Sequence, residues 1–461
     1  MADKHHKQDA QNTQDEQSTP TPHASPEAEA PSQSATLPPQ TNFPIVGVGA
    51  SAGGLEALQE FFRHIPADSG MAFVVVTHQP AAHVSLLPEL LGRHASMVVQ
   101  EVKAGTKVEL GHVYLSQPGM HLALIHTVLQ PMKDDASHAS LQFPIDYFFR
   151  TLAADQKDRA ICVVLSGTGT DGTLGLQAVK GAGGMCMAQS AQSPRFPGMP
   201  GSALATGLVD YVLPVEQLPA ALLSFVQGPY VQEAAVPTGK GSLSADHLRQ
   251  IYVLLRQHTK HDFSAYKTST LRRRIERRMN VQQMQTAEHY ITFLREHLYE
   301  RDLLFQELLI GVTSFFRDPE AFEVLATRAL PELLAACSEA QTIRVWVPGC
   351  STGEEAYSLA ILLREMIIFA QQDLLTDPPF TKLDLLSCRN LLIYLDADVQ
   401  KQLLPLFHYV LNPGGLLFLG SSETIGGFSE LFSTVDTRWR VFQRKDSLAS
   451  QSLVEFPVSP A

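Results

Sequence analysis

Three residues of this chain combine the side chains and settings that hydrolytic chemistry needs: Ser51, His78 and Asp171. Ser51 lies in Ile45-Val46-Gly47-Val48-Gly49-Ala50-Ser51-Ala52-Gly53-Gly54, an apolar run that enters a glycine-rich turn. Gly49-x-Ser51-x-Gly53 fits the G-x-S-x-G pattern, in which a sharp strand-to-helix turn lifts a serine hydroxyl clear of a sheet. A hydroxyl is a weak nucleophile, so it needs a base within hydrogen-bond reach and a third group that orients the base and stabilises its cation. The run Met71-Ala72-Phe73-Val74-Val75-Val76-Thr77-His78 ends in a base. Ile161-Cys162-Val163-Val164-Leu165 leads into Ser166-Gly167-Thr168-Gly169-Thr170-Asp171-Gly172, which delivers a carboxylate on a glycine turn. Backbone N–H groups of Ala52 and of the Gly167-Thr168-Gly169 turn would hold the oxyanion.

The first motif has a second reading. Gly47-x-Gly49-x-x-Ala52 is the relaxed form of a dinucleotide loop, which makes a nucleotide-binding regulator the weaker alternative. That loop wants an acidic residue about 20 residues on, at the end of the next strand. The residue at that strand's end is His78. Each of the three residues taken singly is more often a turn or surface residue. Apolar runs separated by helical lengths predict parallel strands with a ligand site just beyond their carboxyl ends, where all three residues fall.

A second chemistry-bearing stretch is the strand-like Ile343-Arg344-Val345-Trp346-Val347, followed by Pro348-Gly349-Cys350-Ser351-Thr352-Gly353-Glu354-Glu355-Ala356-Tyr357. Two carboxylates at the start of a helix would repel a pyrophosphate and welcome a cation. S-adenosylmethionine, with its sulfonium and ammonium groups, suits this loop better than NAD or ATP, although first-turn acids also serve the helix dipole alone.

At 461 residues with 44% hydrophobic content, the chain is long enough for two or three domains. A net charge of −12 argues against general nucleic-acid affinity. The cysteines Cys162, Cys186, Cys337, Cys350 and Cys388 are odd in number and form no C-x-x-C pair, so neither a disulfide framework nor a metal site is expected. A reducing cytoplasm is the expected setting. No apolar run reaches spanning length, so neither a signal peptide nor membrane insertion is expected.

Composition divides the chain. Residues 1–42, rich in Gln, Ser, Thr, Pro and Ala, are expected to be a disordered tail. An α/β part spans 43–227, a Gly/Pro-bearing linker 228–243, a helical part 244–336, a second α/β part 337–445 and a tail 446–461. In the helical part, Tyr266-Lys267-Thr268-Ser269-Thr270-Leu271-Arg272-Arg273-Arg274-Ile275-Glu276-Arg277-Arg278-Met279 places Leu271, Ile275 and Met279 on one apolar face. The arginines on the other faces are expected to attract an acidic partner surface such as glutamate-rich receptor helices.

Residues 43–226 resemble the catalytic domain of the chemotaxis protein-glutamate methylesterases (CheB). The resemblance runs through the Ser51 elbow, His78-Gln79-Pro80, the Leu165–Gly172 turn and Pro197-Gly198-Met199-Pro200. It implies a parallel-sheet esterase needing no cofactor, in which Ser51, His78 and Asp171 hydrolyse γ-glutamyl methyl esters of chemoreceptors. Thr168 stands where many members carry methionine. The receiver domain that usually precedes this esterase is expected to be missing, so control by phosphorylation is not expected.

Residues 248–445 resemble the chemotaxis receptor methyltransferases (CheR), through Thr313-Ser314-Phe315-Phe316-Arg317, Gly349–Glu355 and Ser387-Cys388-Arg389-Asn390-Leu391-Leu392-Ile393-Tyr394. The resemblance implies a small helical domain and a Rossmann-like S-adenosylmethionine domain. Thr313, Arg317, Glu355, Asp373, Leu374, Cys388 and Arg389 would line the cofactor, and Arg317 and Tyr394 would position a receptor glutamate. Gly311 stands where some members have asparagine. The order esterase then methyltransferase resembles the CheB–CheR fusion proteins, and implies a methyl-accepting chemoreceptor as partner.

One departure is large. The helix from Glu354 passes through Leu363-Arg364-Glu365 into the strand-like Met366-Ile367-Ile368-Phe369-Ala370 with no breaker between them, which is unusual for a helix-to-strand passage. In the family this junction holds a second strand ending in the acid for the ribose, another helix and a small β-subdomain. An internal deletion near 363–366 is therefore expected, leaving methyl transfer impaired. The alternative is that the second half only binds receptor or partner.

Overall fold

Short β-branched runs that are apolar on both faces need cover on both sides, and the first half supplies it with helices. The computed structural model describes residues 43–78, 85–133, 143–190, 192, 195–233, 243–309, 311, 313–336, 342–363, 368–370, 372–375 and 377–446. Expectations for both tails, for most of the linker, for Gln79-Pro80 and for the junction near 363–366 lie outside those residues.

In chain order the first half holds β1 (Ile45–Ala50), α1 (Gly54–Arg63), β2 (Ala72–Thr77), α2 (Leu87–Gly92), β3 (Val98–Glu101), β4 (Thr106–Lys107), β5 (His112–Leu115), β6 (Met120–Ile125), β7 (Val128–Lys133), α3 (Pro144–Gln156), β8 (Ala160–Val164), α4 (Thr173–Gly181), β9 (Met185–Gln189), α5 (Gly198–Ala205), β10 (Tyr211–Leu213), α6 (Leu218–Gln227) and α7 (Pro229–Glu233). Seven strands form one parallel sheet in the order β10-β9-β8-β1-β2-β5-β3, while β4, β7 and β6 form a separate antiparallel ribbon. Alternate residues of each strand feed opposite faces. Val46, Val48, Val75 and Val163 pack with Phe61, Phe62 and Leu222 from α1 and α6. Ile45, Val74, Val76 and Val164 pack with Phe148, Phe149 and Leu176 from α3 and α4.

The helical part holds α8 (Ala245–Thr259), α9 (Thr268–Val281), α10 (Ala287–Glu296) and α11 (Leu298–Leu308). Leu271, Ile275 and Met279 of α9 are buried with Leu248, Ile251, Tyr290 and Leu304. The arginines overturn the expectation of a free basic face. Arg274, Arg277 and Arg278 are buried, and each is already satisfied within the chain. Arg274 donates to the carbonyls of Glu307 and Leu308, and Arg278 makes a two-pronged bond to Glu300. Arg277 reaches into the first half, donating to the carbonyls of Gly183 and Gly184 and pairing with Asp210. Its other arm pairs with Glu307 at 2.8 Å, and Lys180 of α4 pairs with both Glu307, at 2.7 Å, and Asp210. Around this cluster Asn280 donates to the Phe225 carbonyl, Tyr211 to the Val281 carbonyl, and Val281 joins the first half's core. Helical periodicity marks which residues share a face; it does not say whether solvent or another domain lies against it.

The second α/β part continues with α12 (Pro319–Val324), α13 (Leu330–Ala336), β11 (Val345–Trp346), α14 (Glu354–Leu363), β12 (Leu383–Cys388), α15 (Ala397–Val410), β13 (Leu411–Leu419), β14 (Phe432–Asp436) and β15 (Val441–Arg444). The sheet order is β11-β12-β13-β15-β14, with the first three strands parallel and the last two antiparallel. β11, only two residues long, is thus an edge strand among the described residues. Residues 368–370, expected to be strand, form none.

Burial alone would raise the Asp210 and Glu307 carboxyls, but Arg277 and Lys180 outweigh it and hold both below their ordinary values. Depressed carboxyls contribute stability above the ordinary carboxylate range, and that contribution is lost as the pH falls below about 4. Arg277→Ala leaves two buried carboxylates short of a partner. It is expected to lower the unfolding free energy by about 3–5 kcal/mol in urea titrations, and to flatten the acid side of the melting-temperature profile.

Candidate active site

The three central neighbours β8, β1 and β2 end level with one another, since Ala50 pairs with Thr77 and Gly49 with Val164. Ser51 and His78 therefore follow adjacent strand ends. Asp171 arrives on the turn between β8 and α4. The Ser51 turn is pinned by Ser166, whose carbonyl accepts from Ser51 N at 3.0 Å and whose hydroxyl donates to the Ala52 carbonyl at 3.0 Å. The left-handed residue of the turn is Gly53, with φ 66°, and Ser51 is not among the residues with positive φ. The turn takes its left-handed conformation at a glycine, two residues after the serine, where it costs no steric strain.

Gly47 and Gly49 serve packing rather than phosphate approach. A Cβ on Gly47 would lie 2.9 Å from Phe149 Cε1, and one on Gly49 would collide with Ile145 Cγ2, both on α3. Gly167 is constrained likewise, since its Cβ would meet the Met199 thioether and lie 3.1 Å from Ser51 Cβ.

His78 bridges the other two residues. Its Nδ1 lies 3.0 Å from Ser51 Oγ, and its Nε2 lies 2.9 Å from Asp171 Oδ2. The Nε2–H belongs to the carboxylate, so Nδ1 carries the lone pair that accepts the Ser51 proton. This is the reverse of the serine-protease arrangement, in which Nε2 faces the serine. The Asp171 side chain is 3% exposed and that of His78 34%, so the dyad opens to solvent from the histidine side only. Asp171 also accepts three backbone N–H bonds, from Ile145, Asp146 and Gly172. The Gly167 amide is spent on the Phe196 carbonyl, while among the described residues nothing accepts from the amides of Ala52, Thr168 or Gly169. Ser166, Ile145 and Asp146 were not singled out in the sequence. An acid in the first turn of α3 was the only signal.

In the second half, the expected cofactor residues come together only in part. Glu355 accepts from Ser387 Oγ at 2.7 Å, and burial raises its carboxyl, opposed by Ser387 and Arg389. Arg389 is buried between the Phe322 and Phe418 rings. It donates to Asp318 and to the Arg317 carbonyl, lies 3.8 Å from Glu355, and leaves its Nε and Nη1 without hydrogen-bond partners. Cys388 faces the hydrophobic core. Asp373 closes a local turn with Asp377, Leu374 packs on the core side, and Tyr394 stacks against Arg274. Among the described residues, no hydrogen bond or ion pair joins Thr313 or Asp373 to the Glu355–Arg389 group. Glu423, buried and accepting from the Asn390 and Gly420 amides, also went unread. A Cβ on Gly353 would lie 3.1 Å from Phe369 Cζ and 3.0 Å from Tyr357 Cε2, so two rings cover the loop expected to cradle the cofactor. The described residues hold an acid for the cation but no second strand to bring one to a ribose. The Glu355 end is where the residues present fit S-adenosylmethionine.

Three family models match the chain. They are CheB methylesterase over residues 46–222, the all-alpha domain of CheR methyltransferase over 246–309, and the SAM binding domain of CheR methyltransferase over 311–368 and 362–441. A Rhodobacter capsulatus protein named "Uncharacterized 104.1 kDa protein in hypE 3'region" is 34% identical over 440 residues, 77% of this chain and 46% of that protein. A protein-glutamate methylesterase/protein-glutamine glutaminase of Xanthomonas campestris is 34% identical over 198 residues, 42% of this chain and 55% of its own. The Thermotoga maritima CheB methylesterase catalytic domain is 30% identical over 39% of this chain and 97% of that one, with a TM-score of 0.37. The chain spans about half the length of the curated relatives it matches. No helix among the described residues is long and apolar enough to cross a membrane, and no group of His, Cys, Asp or Glu there could hold a metal ion.

Gly49→Ala drives a methyl group into Ile145, whose amide holds Asp171. Overpacking of this kind costs typically 1–3 kcal/mol. The variant is expected to show a lowered urea midpoint together with a loss of ester hydrolysis larger than the stability change explains.

Proposed function

The chain carries a CheB methylesterase domain followed by the all-alpha and SAM-binding domains of a CheR methyltransferase, and on that footing we propose that its first half hydrolyses γ-glutamyl methyl esters on a methyl-accepting chemoreceptor or a similar glutamate-rich signalling protein. The observation that carries this reading is the unbroken chain of contacts from Ser51 Oγ through His78 to the buried, amide-held Asp171.

In this mechanism Ser51 Oγ attacks the ester carbonyl while His78 Nδ1 takes its proton. Asp171 keeps the Nε2–H oriented and stabilises the imidazolium, and the Ala52 amide receives the oxyanion together with one from the Thr168-Gly169 turn. Collapse of the tetrahedral adduct breaks the bond to the methoxy oxygen, which leaves as methanol with the proton from His78. The glutamyl ester on Ser51 is then cleaved by water, deprotonated by the same nitrogen, which releases a glutamate carboxylate and restores the serine. No metal or cofactor enters these steps.

For the second half we infer impaired methyl transfer. Three observations support this: the edge position of β11, the coverage of Gly353 by Phe369, and the break of the SAM-binding model into two stretches that overlap at 362–368. A fourth comes from the Rhodobacter relative, whose 440 aligned positions exceed the 77% of these 461 residues that they cover. That relative carries residues within the aligned span that this chain lacks. The group that S-adenosylmethionine would bring is a methyl cation equivalent, and Glu355 and Arg389 would meet its amino-acid end. Loss of a ribose carboxylate alone lowers affinity by about ten- to a hundredfold. The burial of α9 against the esterase favours a second role for this half, as the esterase's docked partner.

Ser51→Ala is expected to abolish methanol release, on the order of a millionfold in turnover, with an unchanged melting temperature; surviving hydrolysis would overturn the triad. Incubation with receptor membranes and methyl-labelled S-adenosylmethionine tests both halves. Release of label from pre-methylated receptor without new incorporation is the expected result. Incorporation at rates typical of an intact transferase would refute the impairment.

A further inference from the structure

We infer that Asp146 is a positioning residue of the hydrolytic site, tying together the two helix N-termini that hold Asp171. This rests on the reading of Ser51, His78 and Asp171 as the reacting group and extends it to a residue that touches none of the reacting atoms.

The geometry is reciprocal. Asp171, just ahead of α4, accepts the amides of Ile145 and Asp146 in the first turn of α3, at 3.0 and 2.8 Å. Asp146, in that same turn, accepts the amide of Gly175 in the first turn of α4 at 2.6 Å. Each helix thus lends its unpaired N-terminal donors to a carboxylate carried by the other. The exchange requires close approach. A Cβ on Gly175 would lie 2.5 Å from Phe149 Cβ and 3.0 Å from Asp146 Cα, so only glycine fits between the helices. With Asp171 Oδ2 shared between the Ile145 amide and His78 Nε2, any slip of α3 against α4 moves the atom that orients the histidine.

Asp146 also adds charge. It is 3% exposed. The charged groups facing it are Asp171 on the α4 side and Arg150 on its own helix, with His78 beyond Asp171. Burial pushes its carboxyl up to about 6, the Gly175 amide opposing and Asp171 adding to the rise. Its stability contribution is therefore full below the ordinary carboxylate range and falls as the pH rises through about 6, the opposite of Asp210. Above that pH its negative charge stands behind Asp171, where it adds to the carboxylate's hold on the positive charge that the Ser51 proton brings to His78.

The test uses the full chain, wild type and the Asp146→Ala, Asp146→Asn and Ser51→Ala variants. Glutamyl methyl ester hydrolysis is followed across pH, alongside the rate at which a fluorophosphonate probe labels Ser51, read by mass spectrometry. Asp146→Ala, which loses the acceptor for Gly175, is expected to lower kcat about ten- to a hundredfold with KM unchanged, the scale of a small misplacement of a catalytic group. Asp146→Asn keeps an acceptor oxygen and removes the charge. It is expected to recover most of kcat and to move the acid limb of the pH profile to lower pH, with a melting temperature at pH 8 no lower than wild type. Wild-type kcat in both variants, or equal losses with an unmoved acid limb, overturns the assignment. If the methyl ester is not hydrolysed but Asp146→Ala slows Ser51 labelling about ten- to a hundredfold and Asp146→Asn restores most of it, the substrate reading fails and the positioning role stands. If wild-type Ser51 does not label above the Ser51→Ala background, both fail.

Discussion

The arrangement of this molecule depends on one buried guanidinium. Arg277 carries its charge from the helical part into the first half, where Asp210, Glu307 and the carbonyls of Gly183 and Gly184 surround it. A charge taken out of water at such depth is tolerated only when its partners are complete. Those partners come from both sides of the boundary between the halves, Asp210 from the first half and Glu307 from α11, and Lys180 of the first half shares both carboxylates. Lys180 sits at the last turn of α4, and the first turn of the same helix carries the Gly175 amide that Asp146 holds. The nine-residue helix thus runs from the domain boundary to the neighbourhood of the reacting serine.

Much of the active site could be read in the sequence because it obeys a local rule. In a parallel sheet, chemistry gathers at the strands' carboxyl ends, and the residues following β1 and β2 and the turn after β8 are Ser51, His78 and Asp171. The reasons for some residues were misassigned all the same. Gly49 looked like part of a turn motif, yet what excludes a side chain there is Ile145, almost a hundred residues later in the chain. Ser166 and Asp146 act through hydrogen bonds to distant backbone, and beyond an acid near the start of α3 nothing in spacing or composition points to them.

The arginine helix marks the limit of periodicity. Leu271, Ile275 and Met279 were assigned to a buried face and lie on one. The remaining faces carry so much charge that solvent or an acidic partner was the natural expectation. The partner proves to be the chain itself, and three of the arginines are spent inside it. In the second α/β part, the order β11-β12-β13-β15-β14 leaves the shortest strand at the rim, with Phe369 resting on the loop that follows it. Cys388 and Leu374, assigned to a cofactor lining, pack in and against the hydrophobic core.

The shared charge cluster bears on how such a chain can be altered over generations. Two domains joined by a slack tether can be traded between genes, because each keeps its own surface. Here a recombinant that took its esterase from one source and its helical part from another would bury Lys180 and Asp210 without Arg277 and Glu307, or the reverse. The unpaired remainder would cost several kcal/mol, a large share of what a domain has to lose. The two halves are thus coupled through four side chains, and a charge change at one of them calls for a matching change at another.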